Sequence, residues 1–82
     1  MPDEQKKFEI IVNGRPRHWE KETISYTEVV DIAFPPPHKP TEIFTVQYSH
    51  GPPKNPQGTL VEGQTVTVKS GMIFDVTRTD KS

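Results

Sequence analysis

The tightest constraint in this 82-residue chain is local and lies between Ile24 and Pro37. Ser25-Tyr26-Thr27-Glu28 has the form of a capping box. The Ser25 hydroxyl is placed to accept the Glu28 backbone N–H, and the Glu28 carboxylate to accept the N–H of Ser25. Ile24 before the cap and Val29 at the fourth helical position add a hydrophobic staple that sets how the chain enters the helix. Val29, Val30, Ile32, Ala33 and Phe34 then build one apolar stripe. Pro35-Pro36-Pro37 ends the helix after about two and a half turns, because proline has no N–H to donate to the preceding turn. A helix this short does not hold by itself in water, so its stripe must be buried on a sheet.

The flanking segments supply that sheet. Phe8, Ile10 and Val12 fall on one face of a strand, and Asn13-Gly14 follows where a two-residue hairpin turn needs positive φ. The returning strand, Arg15 to Glu20, carries Pro16, which cannot donate to a ladder and so marks an edge or a strand start; Trp19 is its core anchor. After the helix, Ile43 to Tyr48 places Phe44, Val46 and Tyr48 on one face. Ser49 to Gly58, rich in proline and glycine, reads as a loop, and Val61 to Gln64 as a turn. Two more strands follow, Thr65–Lys69 and Met72–Thr77, separated by Ser70-Gly71 and both expected to close the sheet.

The order strand, strand, helix, three strands predicts an α+β, two-layer fold: a ubiquitin-like β-grasp with a mixed sheet of four to five strands and one helix packed on one face. The first and last strands are expected to run parallel side by side in the middle. Phe8, Ile10, Val12, Phe44, Val46, Phe74 and Val76 would then meet Val29, Val30 and Ala33. Residues 1–6 are polar and without period and read as a disordered amino-terminal arm, leaving residues 7–82 as one domain.

Composition narrows the function classes. Ten Lys and Arg against eleven Asp and Glu give a net charge of -1, so no electrostatic case exists for a nucleic-acid or anionic-membrane partner. The absence of cysteine removes disulfides, thiol nucleophiles and thiolate metal sites. No window approaches the ~18 apolar residues of a membrane span. Residues 1–6 also lack the apolar stretch of a signal peptide, and the expectation is a soluble cytoplasmic protein.

The pattern resembles the bacterial multiubiquitin domain family, a prokaryotic ubiquitin-like group. The resemblance is carried by Val12-Asn13-Gly14-Arg15-Pro16 with Trp19, Ile24-Ser25-Tyr26 with Glu28-Val29-Val30, and Phe44-Thr45-Val46 with Tyr48 and Gly51-Pro52. It continues through Pro56-Gln57-Gly58-Thr59-Leu60-Val61, Gly63, Val66-Thr67-Val68, Gly71-Met72 and Phe74 to Thr79-Asp80-Lys81-Ser82. The resemblance implies a non-enzymatic β-grasp protein, often repeated in tandem. Its role would be that of modifier, acceptor or recognised partner of bacterial ubiquitin-activating and ubiquitin-conjugating enzymes and a JAB-type peptidase. A ubiquitin donor ends in Gly-Gly, whose unbranched tail threads narrow enzyme channels. Here no glycine follows Gly71 and the terminal residue is Ser82, so the chain as written departs from a mature donor.

The alternative reading is a non-covalent scaffold or self-associating module, since a β-grasp sheet presents edges with unpaired backbone groups. Alternation points Thr45, Gln47, Asp75 and Thr77 away from the helix, with Ile11 the main apolar exception on that face; Ile11, Tyr26 and Ile73 are the candidate surface-binding residues. Lys6, Lys7 and Lys81, near the chain ends, are the most reachable isopeptide acceptors. His18, His38 and His50 lie in separate segments with no metal-ligand spacing and read as surface or loop residues. Ser49-His50 is no nucleophile–base pair by adjacency, and no catalytic residue, metal or cofactor is expected. Pro35-Pro36-Pro37 and Gly51-Pro52-Pro53 read as a helix stop and a stiffened loop, with polyproline II presentation to a partner as the other possibility.

Overall fold

A computed structural model describes residues 7–80 of the chain. The expected arm over residues 1–6, the candidate acceptors Lys6 and Lys81 and the terminal Ser82 lie outside the described residues. The elements are β1 (Phe8–Val12), β2 (Arg15–Trp19), β3 (Thr23–Ser25), α1 (Tyr26–Ala33), β4 (Glu42–Ser49), β5 (Gly58–Leu60), β6 (Thr65–Thr67) and β7 (Ile73–Asp80). Five strands form one mixed sheet in the order β2-β1-β7-β4-β5, and β3 and β6 form a separate two-stranded sheet.

The hairpin forms as its turn chemistry dictates. Asn13 sits at φ 52 and Gly14 at φ 80, the positive values that a two-residue turn requires, and β1 pairs antiparallel with β2 from Phe8↔Trp19 to Val12↔Arg15. β1 then pairs parallel with β7 in the register Ile11↔Ile73 and Val12↔Phe74, and β7 runs antiparallel along the whole of β4. First and last strands are thus central neighbours, with α1 packed across them, which is the β-grasp arrangement. The Asn13 side chain prolongs the parallel ladder beyond the end of β1. Its Oδ1 accepts the Val76 N–H at 2.7 Å and its Nδ2 donates to the Val76 carbonyl at 3.2 Å.

The helix begins as its sequence requires. Ser25 Oγ accepts the Glu28 N–H at 3.1 Å, and Glu28 Oε1 accepts the Ser25 N–H at 2.9 Å. Ile24 and Val29, the two ends of the staple, are fully buried. Among the expected core residues, Ile10, Val12, Val46, Phe74, Val76, Val29 and Val30 are buried, whereas Phe8, Phe44 and Ala33 are half-buried and pack against them. Ile24, Leu60, Val66, Val68 and Met72 complete the core.

Two features differ from the sequence expectation. Thr65–Thr67 does not join the main sheet; it pairs with β3 through Thr23↔Thr67, Ile24↔Val66 and Ser25↔Thr65. The ladder is extended at both ends by Val68 N–H to the Glu22 carbonyl at 2.8 Å and Tyr26 N–H to the Gln64 carbonyl at 3.1 Å. This small sheet buries Ile24 and Val66 and closes the core beside the helix start. The fifth strand of the main sheet is instead β5, whose Leu60 is buried opposite Val46. Between β4 and β5, Gly51-Pro52-Pro53 is folded into a loop closed by Gly51 N–H to the Pro56 carbonyl and Asn55 N–H to the Pro52 carbonyl, both 2.9 Å. Gly51 is buried, and a Cβ there would collide with the Asn55 carbonyl, so close packing demands glycine at this point.

Candidate interaction surfaces

Alternation along the three central strands divides the sheet into two unlike faces. Phe74 and Val76 of β7, Ile10 and Val12 of β1 and Val46 of β4 are buried toward the helix. Their neighbours Ile11, Ile73, Thr45, Gln47, Asp75 and Thr77 therefore point the other way. Ile11 and Ile73, two of the candidate surface residues, are brought side by side by the parallel register and are both half-buried. Pro16 stands opposite Ile11 on one side and Ser49 opposite Ile73 on the other. One apolar row thus crosses one end of the face, polar Thr45, Gln47, Asp75 and Thr77 fill its middle, and Ile43 of β4 stands exposed at the far end. Beside it, Gln47, Ser49, Thr59 and Asp75 help to line a shallow polar groove of about 330 Å³.

Tyr26, the third candidate, is not part of this face. It opens α1 on the opposite side of the sheet, and its hydroxyl donates to the Phe44 carbonyl at 3.1 Å. Burial and the nearby Glu62 carboxylate push the phenol pKa above its ordinary value.

The helix is flanked by two clefts that composition alone did not distinguish. One, of about 260 Å³, lies between the carboxyl end of α1 and the edge strand, lined by Arg15 and Arg17 together with Asn13, Ile32 and Phe34. Register explains it: Arg15 and Arg17 stand opposite Val12 and Ile10, so both reach toward the helix side of the sheet, beyond the width the short helix covers. The other, of about 270 Å³, lies between α1 and β4, where Asp31, Glu42 and Glu62 surround Tyr26, Val30, His38 and Phe44. Glu42 is 3.5 Å from Arg78, and Asp31 is 3.8 Å from His38 Nε2, which also donates to the Phe34 carbonyl. The alternation of Arg15, Arg17 and Trp19 was the sequence signal for the first cleft; nothing in the order of residues announced the second.

The remaining sequence-derived candidates do not converge. His18 points outward opposite Glu9, His38 packs on the Phe44 ring at 4.9 Å, and His50 lies in the loop at φ 58. Among the described residues no group of three or more His, Cys, Asp or Glu is placed to hold a metal ion. Lys7 is exposed immediately before β1. Lys21 is held, its Nζ 2.9 Å from Glu28 and 5.5 Å from the centre of the Trp19 ring. Burial pushes the Glu28 carboxyl pKa up, but the bonds from Lys21 and Ser25 outweigh it and leave the value below the ordinary one. Among the described residues no helix is long and apolar enough to cross a membrane.

A family model described as multiubiquitin matches residues 8–80, nearly the whole of the described fold. No curated protein and no solved structure gives a match.

Proposed function

The chain belongs to the multiubiquitin family, and from that premise we propose that it is a bacterial ubiquitin-like protein recognised through its outer sheet face by ubiquitination-like machinery. In this reading it performs no chemistry of its own. It is the modifier, acceptor or recognised partner of activating and conjugating enzymes and of a JAB-type peptidase in the cytoplasm. The observation that supports this most directly is the in-register Ile11–Ile73 pair. Two half-buried β-branched side chains stand together beside polar neighbours on this face, and the apolar area they leave in water becomes a source of affinity when a partner covers it. They also stand on the two central strands, the most firmly held part of the sheet, so the contact surface is preorganised.

The test is an amino-terminally tagged protein expressed in its own cell with neighbouring genes intact, analysed by denaturing electrophoresis and mass spectrometry. A ladder of conjugates in the wild type that is lost in an Ile11→Asp/Ile73→Asp variant, with the variant still folded by circular dichroism, is the expected result. A single species at the unmodified mass in the wild type, or a ladder indifferent to the double substitution, would overturn the reading.

A further inference from the structure

The two flanks of the helix carry opposite charge and, among the described residues, do not pair with one another within one molecule. Arg15 and Arg17 sit on β2 and Glu42 on β4, with β1 and β7 between them. Three strand spacings of about 4.8 Å make roughly 14 Å across the sheet, and the helix fills the space above. Among the described residues neither arginine forms an ion pair, and Asp31 and Glu62 have no Lys or Arg partner. We propose that a second copy of this chain supplies the missing partner, the Arg15–Arg17 strand of one molecule seating against the Asp31–Glu62 cleft of the next.

The chemistry of each side fits the other. Arg15 and Arg17 are alternate residues of one strand and so present two guanidinium groups on the same side, about 7 Å apart at the backbone. The facing cleft offers carboxylates from three different segments, with Asp31 on α1, Glu42 on β4 and Glu62 in the turn before β6. Its Val30, Phe44 and Tyr26 surfaces can take the arginine methylenes and the flat guanidinium face. Arg78 is the cation already at that cleft and pairs with Glu42; His38 stands near Asp31, and Glu62 has no Lys or Arg partner among the described residues.

Backbone pairing between copies is hindered at the same edge. Ile11 donates its N–H to the Met72 carbonyl of the last strand at 2.9 Å, so it makes no backbone bond to Pro16 across the hairpin, and Pro16 turns its missing donor to the open edge. Side-chain charge is then the stronger feature that β2 offers to another copy. Because the two surfaces lie on opposite flanks, the contact is heterologous. It leaves a free arginine strand at one end and a free acidic cleft at the other, so assembly continues head to tail.

Sedimentation velocity on the purified full chain tests this apart from any conjugation. The expected result is a sedimentation coefficient that rises with concentration at low salt and falls back to the monomer value at about 0.5 M salt, where exposed charges are screened. Arg15→Glu/Arg17→Glu and Asp31→Lys/Glu62→Lys should each weaken association by about tenfold or more. Mixing the two variants should restore it, because each then offers the charge that the other now lacks. Circular dichroism of both variants checks that they remain folded. A wild type that stays monomeric at low salt, association unmoved by either charge reversal, or failure of the mixture to associate would each overturn the inference. Conjugate ladders under denaturing conditions bear on the proposed function alone and leave this one untouched.

Discussion

Phe74 and Ile73 are neighbours on one strand with opposite duties. Phe74 points to the helix and is fully buried among Ile10, Val46 and Met72; Ile73 points away, stands between Ile11 on one side and Ser49 on the other, and is only half-buried. A period of two residues therefore separates the face that holds the fold together from the face left for partners. The teaching of that contrast is that apolar character alone does not tell stability from interaction. The side of the pleat does.

The contrast can be broken by substitution, and Phe74→Ala is the severest attempt. It empties the largest fully buried position and should cost about 3–5 kcal/mol by chemical denaturation, a large share of the ~5–15 kcal/mol that small domains have. Asn13→Ala comes next. It strips both bonds from the part-buried Val76 backbone and leaves alanine at positive φ, for an expected loss of about 1–3 kcal/mol. Ser25→Ala removes the helix cap and should cost about 1 kcal/mol. Ile73→Thr keeps a β-branched residue on the half-exposed face and should change stability by no more than about 1 kcal/mol. A loss as large as that of Phe74→Ala would mean that the two faces are not distinct.

Acid gives the smallest and most selective test. The native Glu28 carboxyl titrates below its ordinary value of 4.5, so the unfolded chain takes up the proton first. Its contribution to stability is complete above that ordinary value and is lost as pH falls through it toward the lower native one. Glu28→Gln, which keeps an acceptor for the Ser25 N–H but abolishes the charge, should flatten that part of the stability–pH curve. An unchanged acid limb would show that Lys21 and Ser25 do not hold the carboxylate in solution. Because Lys21 is largely exposed, salt should weaken the effect.

How far the sequence could be read follows from how local each interaction is. The capping box, the staple, the triproline stop and the Asn13-Gly14 turn are contacts between residues at most a few positions apart, and each is present in the structure as its spacing implied. The pairing of Thr23–Ser25 with Thr65–Thr67 was not legible. Three residues are too few to show a period, and Ser25 already carried a complete explanation as a cap. Gly58–Leu60 was hidden for the same reason, behind the prolines and glycines of the preceding loop. Of the candidate surface residues, the alternation of β1 and β7 put Ile11 and Ile73 on one face. Their adjacency, the separate place of Tyr26 and the acidic cleft came only from the fold.

The sequence by itself determined where the helix starts and stops, where the first hairpin turns, and which side chains of each long strand share a face. These are set by hydrogen bonds and dihedral preferences within a few residues, which no distant contact had to supply. Tertiary structure alone decided that β6 leaves the main sheet for β3, that Asn13 reaches across to Val76, and that arginines and carboxylates end on opposite flanks of the helix. The reach of Asn13 depends on the parallel register of the first strand with the last. That register is a bond between chain segments some sixty residues apart, fixed only when all of the apolar faces are buried at once.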